Sequence, residues 1–350
     1  MFSPKYTITN KILKNIGLIE GAREVIINAP LVPGYEKKFQ EDALIRTIHH
    51  GTHIEGNELN ISEAAKVLSG QDVPARSRDI QEVINYRNVL RYLENVGLKN
   101  QQEITEDIIK KIHELTTEKI LTVNHSGFYR TTQVVVKNSS TGEVTFRPPP
   151  AIEVPYQMED FLFWLKNTEK DEIHSIIKAG VTHYELVRIH PFLDGNGRVA
   201  RALATLVLFL EGYDIKKFFS LEEYYDRDAR SYYESLKSAA SGELTEWLGY
   251  FSEGLAIELT RIKEKVQNLS VDMHLKKKLG DKQVFLSERQ IKIIEYIQQA
   301  GYLQNPSFPD LFPKISEDTI LRDLHDLMAK SLIKKQGKTK SSRYILTSIR

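Results

Sequence analysis

The chain of 350 residues contains no cysteine, and this absence excludes disulfide bonds and thiolate metal sites. Its formal net charge is only +1, so the chain as a whole shows no general attraction to nucleic acid or to an anionic membrane. The longest apolar run, ALATLVLFLEG, is far shorter than the roughly 20 residues of a membrane helix. The first residues, MFSPKYTITNKILK, lack the apolar core of a signal peptide. We therefore expect a cytoplasmic protein without a membrane segment.

The residues that are present favour a helical globular protein. Apolar residues make up 41% and charged residues 27% of the chain, which is ordinary for a soluble protein of two or three domains. Segments such as FQEDALIRTIHH and TEDIIKKIHELTTEKI place apolar residues three and four apart, as one face of a helix requires. The run ALATLVLFL is interpreted as a buried core helix.

One segment breaks the helical pattern between Thr131 and Pro150, with the sequence TTQVVVKNSSTGEVTFRPPP. Its three successive valines are β-branched, and NSSTGE is a cluster of turn-forming residues. The segment predicts a β-hairpin with one strand over Thr132–Val136 and a returning strand over Val144–Phe146. The triple proline ends the second strand.

The stretch HPFLDGNGRVAR, which starts at His190, has the composition of a phosphate-binding loop. Gly195 and Gly197 let the chain curl tightly before a helix predicted to start near Arg198, whose amide end attracts anions. Arg198 and Arg201 lie three apart on one helical face, and guanidinium groups bind phosphate in a bidentate manner.

Two further side chains of this stretch are candidates for metal binding and proton transfer. Asp194 precedes the curl and is suited to a divalent cation, since Mg²⁺ typically takes one or two carboxylates plus phosphate oxygens. His190 titrates near neutral pH and could accept a proton. Taken by residue type alone, DGNGR is equally compatible with a polar turn, and an isolated histidine is more often structural than catalytic. The stretch lacks the lysine and Ser/Thr of a P-loop.

The whole string resembles the signature of the Fic (filamentation induced by cAMP) family, with every fixed position present from His190 to Arg201. The resemblance implies a helical bundle with one β-hairpin flap and transfer of AMP from ATP to a hydroxyl of a target protein. By this resemblance His190 is the general base and Asp194 the Mg²⁺ ligand. The phosphates are bound by Gly195, Asn196, Gly197, Arg198 and Arg201.

The resemblance extends to the flap and to the surroundings of the adenine. The flap, with Val134, Val135 and Val136, would hold a target segment by backbone pairing. Tyr232 and Tyr233 would offer a stacking ring or a hydroxyl to the adenine. Without the family, three valines and a tyrosine pair indicate core residues instead. Many relatives carry asparagine where this chain has Ala240, which weakens the assignment of the adenine contacts.

An upstream stretch, HHGTHIEGNEL, resembles the inhibitory helix of some relatives, whose pattern is Ser or Thr, three residues, Glu, then Gly or Asn. Glu55 occupies the acidic position, whereas Gly51 stands where the hydroxyl residue is expected. The resemblance implies autoinhibition, in which Glu55 pairs with Arg201 in the place of the γ-phosphate. The alternative is a solvated acid at a helix end with Gly56 as its cap. The neighbouring His49, His50 and His53 are interpreted as solvated or core histidines rather than a metal site.

The C-terminal region shows the order helix, short helix, helix and hairpin, which is typical of a winged helix-turn-helix. From residue 327 onward it has seven Lys or Arg and no acid, so contact with DNA is one interpretation. The presumed recognition helix opposes this with four acids, which are Glu317, Asp318, Asp323 and Asp326. A protein-binding module is the other interpretation.

The sequence therefore predicts four regions with distinct roles. They are an N-terminal helical region with the inhibitory helix (1–100), a Fic catalytic core (101–266), a linker (267–283) and a winged-helix domain (284–350). The predicted function is protein adenylyltransferase with ATP and Mg²⁺, acting on a target protein or on itself, and a homodimer is compatible with the family. Two alternatives stay open: removal of AMP or transfer of another phosphate-containing group at the same site, and a DNA-binding regulator that senses ATP.

Overall fold

The structure is a computed structural model that describes most of the chain. It covers residues 2–29, 31, 33–98, 103–137, 142, 144–168, 172–269, 286–313, 315–337 and 342–347. Most of the predicted linker, the turn of the predicted flap and the wing residues Lys338 and Lys340 lie outside these ranges. Among the described helices, none combines the length and the apolar character that crossing a bilayer requires.

The chain divides into two units. The first comprises Met1–Ile27 and Gln40–Ile262, and the second comprises Asn28–Phe39 and Lys263–Arg350. The first eleven helices are α1 (Asn10–Asn28), α2 (Pro33–His53), α3 (Ile61–Leu68), α4 (Ser77–Leu98), α5 (Glu106–Thr117), α6 (Val154–Asn167), α7 (Ser175–Ile189), α8 (Asn196–Leu210), α9 (Leu221–Arg227), α10 (Ala229–Ser238) and α11 (Thr245–Leu269). The remaining elements of the second unit are α12 (Glu288–Ala300), α13 (Phe308–Leu311), α14 (Glu317–Ala329), β3 (Ile333–Gln336) and β4 (Arg343–Leu346).

Helices α7 and α8 form the centre of the first unit. Nearly every residue of both helices is buried, including polar side chains such as His183 in α7 and Arg201 in α8. The run ALATLVLFL lies within α8, so it is the buried core helix that the sequence predicts. Helix α5 packs along α4 and α8, and Thr105 caps it by accepting a hydrogen bond from the Ile108 amide. These helices bring the loop between α7 and α8 to one end of the bundle.

The predicted hairpin is present but shorter than expected. Strand β1 (Val136–Lys137) pairs antiparallel with β2 (Val144–Phe146), with Val136 opposite Phe146. The prediction of a first strand from Thr132 is wrong, because side chains take the backbone oxygens that a strand would need. Arg130 donates to the Thr132 carbonyl at 3.3 Å, and Gln133 donates to its neighbour's carbonyl, that of Val134, at 3.2 Å.

The second unit has its own apolar core beneath the hairpin of β3 and β4. Members of that core include Ile293, Ile297, Leu303, Phe308, Ile320, Leu324, Leu327, Ile333 and Tyr344. Helix α12 begins with a capping box between Ser287 and Gln290. Ser316 takes the N-cap position of α14 with extended backbone, but its hydroxyl bonds Thr319 Oγ1 at 2.9 Å instead of a backbone amide. The described order of elements is the one predicted, and the winged-helix assignment stays a prediction.

Candidate active site

His190 lies at the end of α7 in a left-handed backbone conformation, with φ 51°. Its Nδ1 lies 3.2 Å from the Val187 carbonyl oxygen, an acceptor, so Nδ1 carries the proton and Nε2 keeps its lone pair. Burial lowers the pKa of His190, and the nearby Arg130 lowers it further, while the bond to Val187 opposes this. The imidazole is therefore neutral at pH 7, which is the state that a proton acceptor needs.

The loop after His190 is held rigidly by its own asparagine. The Asn196 side chain accepts from the Phe192 amide and donates to the Phe192 carbonyl, both at 2.9 Å. Phe192 is fully buried and stacks on the His113 ring, with ring centroids 3.8 Å apart. The Asn196 side chain thus braces the loop, which leaves the backbone amides as the loop's donors to a ligand.

Arg130 joins the flap to this loop. It is buried, and its Nε donates to the His190 carbonyl at 2.7 Å, while its Nη2 donates to the Pro149 carbonyl at 2.6 Å. Its backbone amide donates to the Pro191 carbonyl at 2.8 Å. The ring of Phe146 in β2 approaches the His190 imidazole edge-on, with centroids 6.4 Å apart. The hairpin is therefore fixed beside the imidazole.

Helix α8 starts at Asn196, two residues before the predicted start. Gly195 is its N-cap with φ 78°, a conformation that glycine adopts without strain. The Gly195 amide donates to Oδ1 of Asp194 at 2.6 Å. The amino end of α8, with its unpaired amides, faces the curl of the loop and forms a site for an anion.

Glu55 pairs with Arg201 beside the first turn of α8. The Arg201 guanidinium donates through Nη2 to Glu55 Oε1 at 2.8 Å and to the Gly51 carbonyl at 2.9 Å. A Cβ added to Gly197 would overlap Glu55 Oε1 and lie 3.2 Å from Arg201 Nη1. The carboxylate thus lies against the backbone of the phosphate loop. The structure thus contains the predicted contact of Glu55 with Arg201, although Glu55 itself stays exposed to solvent.

Arg201 is buried deeply and keeps spare donors. Its Nε and Nη1 have no hydrogen-bond partner among the described residues. Burial opposes its charge, but the Glu55 carboxylate more than compensates and holds the Arg201 pKa well above its usual range. Because a buried guanidinium with spare donors needs an anionic partner, Arg201 would accept a phosphate in place of Glu55.

Arg198 and Asp194 form a second charged group at the loop. Arg198 Nη1 lies 3.3 Å from Glu82 Oε1, and Arg198 Nη2 lies 3.7 Å from Asp194 Oδ1. Arg78 donates to the other carboxylate oxygen of Asp194 at 3.0 Å. Within the described ranges no group of three or more metal-ligating side chains is present. Asp194 is therefore a single carboxylate, which fits a cation that takes its other ligands from phosphate and water.

Only one of the three flap valines lies in a strand. Val136 lies in β1, whereas Val134 and Val135 precede the strand.

The two tyrosines of the predicted adenine site differ in burial. Tyr232 is buried in the core with its hydroxyl 3.1 Å from His183 Nε2, as the core interpretation of the tyrosine pair requires. Tyr233 is half exposed and donates to the Ile54 carbonyl at 3.4 Å. Tyr233 is thus the better placed of the two to meet a ligand beside the Glu55 segment.

The histidines at the end of α2 bind a carboxylate. His50 Nδ1 lies 2.7 Å and His53 Nδ1 2.8 Å from the Asp226 carboxylate. His49 is buried, and its pKa falls to about 4, mainly through burial. His50 and His53, through Asp226, anchor the end of α2 to α9.

Three residues at the site were missed by sequence reasoning: Arg78, Glu82 and His113. Each lies outside the loop motif and reaches it through tertiary packing. His113 accepts from the Gly127 amide at 2.9 Å, and its Nε2 bonds the Asp194 carbonyl at 3.1 Å. Thr116 and Thr117 pack within 3.4 Å of a Cβ built on Gly195. No local pattern in α4 or α5 marks these residues, because ordinary amphipathic helices carry similar side chains.

Together, these contacts would suit a polyphosphate beside a neutral imidazole. A helix amino end, two buried arginines and a carboxylate surround the curl, and a β-hairpin flanks the imidazole. This class of site suits a nucleotide whose phosphate is attacked by a hydroxyl. The arrangement agrees with comparisons to known proteins.

Residues 103–208 match the Fic/DOC family. A protein adenylyltransferase Fic from Nematostella vectensis is 30% identical over 239 residues, which cover 66% of this chain and 52% of the relative. Protein adenylyltransferase fic-1 from Caenorhabditis elegans is 32% identical over 221 residues, covering 62% of this chain and 41% of the relative. The chain thus spans about half the length, or less, of the curated relatives that it matches.

Solved structures agree on the fold. A Fic family protein from Desulfovibrio desulfuricans G20 superposes with a TM-score of 0.66 over 100% of this chain and 99% of that chain, at 24% identity. Fic-1 from C. elegans superposes with a TM-score of 0.61, covering 73% of each chain at 26% identity. Residues 103–208 are therefore a Fic domain, and the predicted mainly helical fold with a hairpin is confirmed.

Proposed function

We propose that this protein transfers AMP from ATP to a hydroxyl group of a target protein. The observation that carries the proposal is the neutral imidazole of His190 beside a helix amino end with two buried arginines. The names of the two curated relatives described above, both protein adenylyltransferases, support the same reaction. Since ATP is the AMP donor in that reaction, ATP is the substrate.

The reaction begins with the target hydroxyl beside His190. Its oxygen attacks the α-phosphorus of ATP, and its proton passes to His190 Nε2, which is the nitrogen left unprotonated by the contact with Val187. The bond from the α-phosphorus to the bridging oxygen breaks, and pyrophosphate leaves. The product is an AMP group joined to the hydroxyl oxygen. Positioning and charge stabilisation supply most of the acceleration in such a transfer.

The phosphates of ATP would be held by the loop and the two arginines. The backbone amides at Gly197 and the start of α8 would face the inner phosphates, and Arg198 and Arg201 would face the outer ones. Asn196 serves this site through its bracing contacts with the Phe192 backbone. A buried guanidinium with unused donors, as in Arg201, gains most from such an anion.

Asp194 would hold Mg²⁺ together with the phosphate oxygens. Its carboxylate is half exposed, and the ion would neutralise phosphate charge when bound. Arg78 pairs with the same carboxylate at 3.0 Å, so its guanidinium would move aside or share Asp194 with the ion. The chain's own part is to place one carboxylate beside the phosphates.

The hairpin would present the target segment. Val135 is partly exposed just ahead of β1, and Phe146 of the paired strand β2 lies near His190. Backbone pairing with β1 would place an extended segment, with its Ser, Thr or Tyr hydroxyl near Nε2. This mode imposes few side-chain requirements, so the partner is a protein with an accessible flexible segment, and the chain itself is a candidate.

Glu55 would act as a brake on this reaction. Its carboxylate occupies an Arg201 donor and lies against the backbone of Gly197, where a phosphate would bind. ATP bound beside an intact Glu55–Arg201 pair would lose that arginine and sit in a pose unsuited to attack. Release of Glu55 would then raise activity.

Labelling with ATP that carries a radioactive α-phosphate tests the proposal. Glu55→Gly should raise labelling of target or self at least tenfold, since about 1.4 kcal/mol of lost pairing corresponds to that factor. His190→Ala in the Glu55→Gly protein should abolish labelling. Glu58→Gln, which changes an exposed acid in the same segment, is the matched control and should label like the unchanged protein. Equal labelling of unchanged and Glu55→Gly proteins contradicts the brake, and persistent labelling by the His190 variant contradicts the reaction.

A further inference from the structure

Glu82 is a buried carboxylate at which three donors of the site converge. It lies within α4 and receives Asn57 Nδ2 at 3.0 Å and Arg78 Nε at 3.1 Å. The guanidinium of Arg198 approaches it to 3.3 Å. Each donor belongs to a different part of the site: Asn57 follows the brake by two residues, Arg78 pairs with the cation ligand Asp194, and Arg198 is a phosphate arginine.

The buried guanidinium of Arg198 has this carboxylate as its counter-charge. Its exposed fraction is only 2%, and a charge removed from water to that degree requires a counter-charge. Asp194 is more distant, at 3.7 Å from Arg198 Nη2. Glu82 is therefore the nearest carboxylate to Arg198 in the part of the chain that the structure describes.

The contact of Arg198 with Glu82 leaves donors available to a ligand. Arg198 Nε and Nη1 form no hydrogen bond with the described residues, so the contact is an ion pair without hydrogen-bond geometry. The Glu55–Arg201 contact differs, because it is a hydrogen bond at 2.8 Å that uses a donor directly. Glu82 lies inside a helix and is shared with two other donors, so it stays in place when a phosphate arrives.

We propose that Glu82 is a positioning residue of the phosphate site, which fixes the Arg198 guanidinium toward the outer phosphates and ties it through Asn57 to the Glu55 segment. The proposal rests on the function proposed above, since it takes a nucleoside triphosphate as the ligand of Arg198. It predicts that Glu82 matters for the outer phosphates and not for the rest of the nucleotide.

The test is direct binding of ATP and of AMP by calorimetry, in the Glu55→Gly protein so that the brake does not interfere. Glu82→Gln should weaken ATP binding about tenfold, the factor that about 1.4 kcal/mol represents, and leave AMP binding within about twofold. Glu58→Gln is the matched acid control and should change neither ligand. Equal loss of ATP and AMP binding, or no loss of ATP binding, overturns the proposal.

A double-mutant cycle with Arg198→Ala identifies the route of the effect. Once Arg198 is absent, Glu82→Gln should weaken ATP binding by less than about twofold further. A full additional loss in that background would show that Glu82 acts by another path and would overturn the proposal. If Glu82→Gln does not fold, Glu82→Asp keeps the charge and withdraws it by one methylene. Its expected result is a several-fold loss for ATP with AMP unchanged, and equal affinities for both proteins overturn the proposal.

These binding measurements separate the two proposals. Glu55→Gly protein that binds ATP in a Glu82-dependent manner but transfers no AMP would refute the proposed reaction and uphold the role of Glu82. If AMP is transferred but Glu82→Gln leaves the affinity for ATP unchanged, only the positioning role is refuted. Absence of ATP binding would refute both.

Discussion

Gly197 illustrates how one residue without a side chain shapes the site. Its Cα faces both the Glu55 carboxylate and the Arg201 guanidinium, so a methyl group there would overlap Glu55 Oε1. In the proposed function, a phosphate would lie against this same stretch of loop backbone. A brake by Glu55 would then use the space of the substrate rather than a separate pocket.

Gly197→Ala should displace Glu55 from Arg201 and lower the free energy of unfolding by up to about 1 kcal/mol, because the flexible Glu55 side chain moves aside and only a partly exposed ion pair is lost. In the Glu55→Gly protein the same change should cost clearly less, because the overlapping carboxylate is gone. Chemical denaturation of the four proteins measures both values. Gly17→Ala, where an added Cβ meets nothing within 4 Å, is the control and should be neutral or stabilising. An equal cost with and without Glu55 would contradict this account.

The segment from α2 to α4 is held to the core through its backbone as well as its side chains. Arg201 binds the Gly51 carbonyl at 2.9 Å, and Asn57 donates to the Asp79 carbonyl at 3.0 Å. Asp226 holds the two histidines of the last turn of α2. Glu55 thus lies between anchored points, which fixes its approach to Arg201.

Packing explains why Gly51 replaces the hydroxyl residue of the inhibitory pattern. A Cβ at Gly51 would lie 2.6 Å from Tyr86 Cε1 and 3.2 Å from Glu222 Cγ. Tyr86 is fully buried and donates to Glu222 at 2.9 Å. The ring and the acid fill the position where a serine or threonine side chain would lie.

Gly51→Ser should therefore destabilise the protein by about 1–3 kcal/mol, because a rigid buried ring must shift. The displaced α2 end should also loosen the Glu55–Arg201 pair and raise AMP labelling. Denaturant unfolding and labelling report the two effects. Combining the change with Tyr86→Leu should restore part of the lost stability, since the neighbouring sites are coupled. Unaltered stability of the Gly51→Ser protein would show that packing does not exclude the hydroxyl.

Buried neutral histidines make the stability of the first unit depend on pH. Burial lowers the pKa of His49 and of His113 to about 4, and it lowers the pKa of His183 and of His190 below the usual 6.5. Below pH 6.5 the unfolded chain binds protons at these positions that the folded protein does not. The free energy of unfolding then rises with pH wherever the unfolded state binds more protons.

Stability should fall as the pH drops from about 6.5 toward 4, by about 1.4 kcal/mol per pH unit for each excess proton of the unfolded chain. Denaturant titrations at several pH values measure the slope. His113→Asn should reduce this slope by removing one buried imidazole, although its absolute stability will be lower. A slope that is flat between pH 6.5 and 4 would contradict the neutral, buried state of these side chains.

The charges of the second unit bear on the question of DNA binding. Lys334 and Lys335 of β3 are exposed, whereas Asp323 pairs with Arg289 at 2.7 Å and Asp326 pairs with Lys330. Two of the acids on α14 are thus partly neutralised within the unit, which weakens the argument against DNA. DNA binding, homodimer formation and AMP removal stay predictions.

Much of the arrangement could be predicted from local sequence. Helix α8 begins within two residues of its predicted start, and β2 has its predicted bounds. The first flap strand was predicted too long, because Arg130 and Gln133 capture its carbonyls through bonds that the local pattern does not reveal. The burial of Tyr232 likewise depends on a contact that local sequence does not reveal, because its partner His183 lies 49 residues away.

The amino-acid sequence by itself determined which groups the loop carries, because glycines, an acid, two arginines and a histidine fall within twelve positions. The contact of Glu55 with Arg201 was predicted through the family resemblance, and the structure contains it. Only the tertiary structure decided which residues support this chemistry. Glu82, Arg78 and His113 reach the loop from helices distant in sequence, and such contacts depend on how apolar faces pack rather than on any nearby residue.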